Sequence, residues 1–139
     1  MNVPRFALAT LGALVAYFAL GGLFFTRASM RAEFMKYPAI YRSQQEMKGV
    51  MPLGVAGMLL SMAVLTALFA MLHPMGAGLV AGAEFGALIG LYALGSFVLH
   101  NYVNLNIGAR LTLYQAMAYF IEWVVVGIVI GLIYRGPSA

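Results

Sequence analysis

The chain reads as an all-α polytopic membrane protein, a four-transmembrane-helix bundle in a single domain (1–139), and three observations carry that reading. First, 63% of its 139 residues are hydrophobic and only 9% charged, where soluble domains run at roughly 25% charged, and the mean hydropathy is +0.92. So small a soluble fold has too little interior to hide that much apolar surface, so lipid is the expected solvent. Second, four apolar segments stand out, at 6–25, 53–72, 78–99 and 113–134. A helix rises about 1.5 Å per residue, so each matches a hydrocarbon core roughly 30 Å thick. Third, there are no segments of about ten residues with alternating polarity, as the strands of a transmembrane barrel require.

The first segment follows Arg5. Its apolar run exceeds the roughly 7–15 residues of a secretory signal, and no convincing small-x-small cleavage site precedes the basic loop, so a permanent span is expected. Next comes the one long loop, 26–51, which carries Arg27, Arg31, Lys36, Arg42 and Lys48 against Glu33 and Glu46. Met30, Phe34, Met35, Tyr37, Ile40 and Tyr41 interleave with these cations. That mixture suits an interfacial segment with rings at headgroup depth and cations on lipid phosphates; a docking surface for a partner is the alternative. Pro38 interrupts any helix there and pushes Tyr37 out of the α region. Pro52 is expected at the start of the second span, where a missing N–H costs nothing.

The side holding the long loop and the third connection has six basic residues, counting Arg110. The other side has Arg5 and Arg135, and the connection 73–77 has no Lys or Arg. The positive-inside rule then puts the long loop in the cytoplasm and both termini outside.

The third span contains Gly78, Gly82, Gly86 and Gly90, and the fourth answers with Gly127 and Gly131. Residues four apart share a helix face, so these glycines make a groove in which another backbone can approach closely. Tight packing of spans three and four is the favoured pairing. The alternative is that the glycine ladder faces a second copy or another subunit. Spans two and three, joined by a short connection, are expected to be antiparallel neighbours.

Within 111–134 the only charged residue is Glu122, almost midway between Arg110 and Arg135. A charge at that depth costs at least about 2.5–3.5 kcal/mol on insertion scales, so the carboxyl must be neutral, partnered or wet. Tyr92, Ser96 and His100 are spaced i, i+4, i+8 on span three, and Gln115, Tyr119 and Glu122 are spaced i, i+4, i+7 on span four. With the helices antiparallel, these triplets form a candidate proton or ligand path from His100 to Glu122, opening among Asn101, Asn104 and Asn106. Glu84 and His73 form a candidate outer pair. The competing reading is a protonated Glu122 that merely fixes helix register through hydrogen bonds worth about 0.6 kcal/mol each. Trp123, beside Glu122, either packs inside the bundle or marks a shifted span.

Other chemistry finds little support. The chain has no cysteine and no aspartate, which removes thiolate sites and Ser-His-Asp triads. His73 and His100 fall on opposite faces of the membrane, so no metal site with recognisable spacing arises, and no cofactor is implied. The net charge of +4 reads as lipid-facing loops and not as nucleic-acid binding.

The run His100-Asn-Tyr-Val-Asn-Leu-Asn-Ile-Gly-Ala-Arg-Leu-Thr-Leu-Tyr-Gln-Ala, followed by Gly127 to Gly131, resembles the last connection and span of uncharacterised bacterial families of small four-span membrane proteins. The aromatic, basic loop from Phe24-Phe25 to Tyr41 extends the likeness. Those families have no known function; the resemblance implies a bacterial inner-membrane location and no activity. Three functions remain in competition. One is a non-enzymatic bundle working as a homo-oligomer or as an accessory subunit of a larger membrane complex. Another is a small proton-coupled transporter or channel using Glu122, Glu84 and His100. The third is an enzyme acting on lipids at the His100–Asn106 mouth near Tyr114 and Gln115, for which no nucleophile–base pair can be named.

Overall fold

The computed structural model describes residues 2–74 and 77–134. Within them, four helices are long and apolar enough to cross a membrane, the architecture of a multi-pass membrane protein. They are α1 (Val3–Phe25), α3 (Gln44–Leu72), α4 (Leu79–Asn104) and α5 (Ala109–Ile133); a short α2 (Ala28–Phe34) lies between the first two. Arg135 lies outside the described residues.

Local chemistry sets the helix ends. Asn2 caps α1, its Oδ1 accepting the Arg5 N–H at 3.1 Å, with Pro4 in the first turn where its missing donor is harmless. A reciprocal box starts α3: Glu46 accepts the Ser43 N–H at 2.8 Å and Ser43 Oγ accepts the Glu46 N–H at 3.3 Å. The box begins the helix nine residues before the expected start at 53, so residues 44–51 belong to α3 and not to a loop. It also corrects the reading of Pro52, which lies inside the helix and there deprives one carbonyl of its i+4 donor.

Spans α4 and α5 make the closest pairing. A β-carbon on Gly131 would stand 2.8 Å from the Gly82 Cα, and one on Gly127 would stand 2.6 Å from the Gly86 Cα. Gly78 O is 2.6 Å from the same Gly131 position, and a β-carbon on Gly90 would stand 2.9 Å from the Phe120 ring, whereas one on Gly78, the N-cap of α4, would meet nothing within 4 Å among the described residues. At Gly82, Gly86, Gly127 and Gly131 backbone meets backbone, and only glycine fits. On its other side α5 packs against α1, where Ala9 and Ala13 are fully buried, and α1 in turn carries α3. The order around the bundle is therefore α4, α5, α1, α3. Consecutive spans α3 and α4 meet through Phe69 and Phe85, with ring centroids 5.4 Å apart, and part from Leu68 and Ile89 onward around a cavity. Bulky Met58, Leu65 and Leu68 offer α4 no glycine face to match.

The core at one end joins Ala13, Met62, Phe69, Phe85, Val126 and Ile130. At the other end α2 and the following turns fold onto the start of α5, where Met30, Ile107, Leu111 and Ala118 are buried together. Tyr37 Oη accepts the Gly108 N–H at 2.8 Å, and buried Glu33 pairs with Lys36 at 2.7 Å and with Arg110 at 3.3 Å. The first loop is thus tied to the third connection at one end of the bundle.

Candidate functional site: the Glu122 cavity

Glu122 is the fourteenth residue of α5, about 20 Å along the axis from Ala109 and about 17 Å from Ile133. It is fully buried, and neither carboxyl oxygen has a hydrogen-bond partner among the described residues. Helix geometry fixes its direction. Gly127, which seats α4, is five positions further on, about 140° around the helix. Glu122 therefore turns away from α4 and toward α1, where Gly21 leaves room for it.

The carboxyl closes the inner end of a cavity of about 330 Å³. Six aromatic rings line it: Tyr17 and Phe25 from α1, Phe34 and Tyr41 from the loop region, Phe97 from α4 and Tyr119 from α5. Tyr119 touches Phe25 and Phe97 with centroids 5.3 and 5.4 Å away, and the contacts continue through Phe25–Phe34 at 6.0 Å to Phe34–Tyr41 at 4.7 Å. Gln115 and Asn101 add polar groups, with Gln115 Nε2 donating to Tyr41 Oη at 3.4 Å. The cavity therefore runs from the middle of α5 toward the end that holds the basic loop.

A second cavity, of about 590 Å³, lies between α3 and α4. Tyr17, Phe97 and Tyr119 line both cavities, so those three rings form the partition. The larger one is apolar apart from Ser61, Tyr92, Ser96 and the tyrosines of the partition. Trp123 lines it and packs on Tyr17 at 5.6 Å, inside the bundle.

The structure brings Gln115, Tyr119 and Glu122 to one cavity; Tyr119 also meets Tyr92 and Ser96 at the larger one, while Gln115 and Glu122 do not line it. Tyr92 and Ser96 belong to the larger cavity, with Ser96 Oγ donating to its own helix at Tyr92 O, 2.8 Å away. His100 is exposed and lines neither cavity. At the other end of α4, Glu84 is exposed, while the His73 ring packs against Phe69 at 4.6 Å; no ion pair joins them among the described residues. Arg27, Arg31, Lys36, Arg42 and Lys48 are all exposed, Lys36 through its pairing with Glu33 included.

Sequence reasoning overlooked Tyr17, Gly21, Phe25 and Phe97. Phe97 sits in a π-helical turn, Leu94–Leu99, a local irregularity that apolar periodicity does not reveal and that recurs at functional sites. The direction of Glu122 was open to inference from its angle to Gly127. No group of three or more His, Asp or Glu is placed to hold a metal ion among the described residues. No protein-family model, curated protein or solved structure matches the chain.

Proposed function

We propose that this protein is a small non-enzymatic membrane carrier in which Glu122 is the working group and takes up and releases a proton through its cavity. One observation carries this reading: both Glu122 oxygens are buried and unpartnered at the inner end of an aromatic-lined cavity. A structural acid would be expected to spend its hydrogen-bonding capacity on neighbours, because an unsatisfied buried group costs about 1–3 kcal/mol. Polar groups kept in the membrane at such cost mark ion and substrate paths. Gln115 and Asn101 lead from Glu122 toward the basic end, and exposed His100 at that end serves as the surface exchange group. The excess of Arg and Lys there orients it to the cytoplasm of a bacterial inner membrane. Proton uptake by proteoliposomes that is unchanged by Glu122→Gln would sink the proposal.

A second reading rests on Glu84. It is exposed on an outer strip of α4 between Val80 and Leu88, both 67% exposed. A carboxyl among lipid-facing apolar residues suits an interface with a second copy or another membrane subunit, in which case the protein is an accessory part of a complex. Native mass spectrometry from lipid nanodiscs separates the two. Monomer alone, with nothing co-purifying, contradicts the subunit reading.

A further inference from the structure

Nothing in the proposed carrier role says what, besides a proton, Glu122 holds. We infer that the cavity is a binding site for a hydrophobic organic cation, an ammonium-bearing molecule whose apolar part passes the partition into the larger cavity; this rests on Glu122 being the working group.

Three observations select that chemistry. Among the described residues Glu122 is the only charged one lining either cavity, and its oxygens have no partner among them. A lone buried carboxylate selects a cation and repels an anion. Six aromatic rings line the space around it, and π systems attract ammonium groups most strongly when water is excluded. And the adjoining space of about 590 Å³, sharing Tyr17, Phe97 and Tyr119, is apolar, where the rest of such a molecule is at home. A bare metal ion fits poorly, since hard cations take about six oxygen ligands. A neutral apolar molecule leaves the carboxyl unexplained.

Binding and proton transfer are then one exchange. A permanently charged cation enters as the Glu122 proton leaves for bulk water, so charge balances and affinity falls as pH is lowered. The titratable groups that share the cavity are Tyr17 from α1, Tyr41 from the loop and Tyr119 from α5, while α4 contributes only Phe97 and Asn101. Glu122 is the only carboxyl among the described residues that line the cavity, and it carries the dependence.

Trp123, the only tryptophan, lines the larger cavity and reports its occupancy. Protein in lipid nanodiscs is titrated with phenyltrimethylammonium while Trp123 fluorescence is followed, with tert-butylbenzene as the uncharged molecule of the same shape. The wild type is expected to give a saturable change that weakens at lower pH. Glu122→Gln is expected to weaken it by at least about thirtyfold and Tyr119→Leu by roughly fivefold. Tert-butylbenzene is expected to act equally on wild type and Glu122→Gln. The pH series needs only wild-type protein, so a variant that folds poorly does not blunt the test. Equal affinity of the two proteins, wild-type affinity independent of pH, or no saturable change overturns the cation site. If proton uptake still depends on Glu122 in that event, the carrier reading stands and only its substrate class falls; if uptake too ignores Glu122, both fall.

Discussion

Gly21 of α1 faces Glu122 of α5 so closely that a β-carbon on Gly21 would stand 3.2 Å from Glu122 Oε1. A missing side chain on one span thereby makes room for an unpartnered acid on the next. Gly21→Ala crowds the carboxyl by a few tenths of an ångström, while alanine gains about 0.5–1 kcal/mol over glycine within a helix. Thermal stability in detergent is expected to hold or rise slightly as Glu122-dependent proton uptake falls. Uptake at the wild-type rate would show that the space beside Glu122 is not used.

The α4–α5 contact makes a sharper stability prediction. A β-carbon on Gly86 would meet Val124 Cα at 2.8 Å and Val124 O at 2.9 Å, backbone that cannot swing aside. Gly86→Ala is expected to cost about 1–3 kcal/mol through overpacking. Gly54 and Gly57 of α3 have nothing within 4 Å of the same position among the described residues, and alanine there is expected to be neutral or stabilising. Thermal unfolding of the three variants side by side checks the contrast.

At the basic end, Tyr37→Phe removes the oxygen that accepts the Gly108 N–H and is expected to cost about 0.5–1.5 kcal/mol. The loss is local, so limited trypsin cleavage at exposed Lys36 and Arg42 should accelerate before global unfolding changes. An unchanged cleavage rate would mean that the apolar packing of Met30 and Phe34 suffices to hold the loop.

The four spans were legible because length and hydropathy suffice when lipid is the solvent. The early start of α3 was also written in Ser43-Gln-Gln-Glu46, a capping-box pattern masked by the cations around it. Less legible was the rotation of each helix about its axis. Spacing puts Gln115, Tyr119 and Glu122 on one face of α5 but leaves open whether that face meets α4 or α1. The glycines decide it, since Gly127 and Gly131 hold α4 on the opposite side. The π-helical turn that brings Phe97 between the cavities has no sequence signature, and no local pattern brings Tyr41, 74 residues away, to Gln115.

Whether Glu122 works or merely braces the bundle is most directly measured with Glu122→Met, which keeps approximate volume and removes both orphaned oxygens. Stability in detergent and proton uptake in proteoliposomes are read on the same preparation. With no hydrogen bond to lose, the variant is expected to be as stable as the wild type or more so, by up to about 1–3 kcal/mol, and to have lost uptake. A variant destabilised by about 2 kcal/mol or more that still takes up protons would contradict the account and make Glu122 a structural acid.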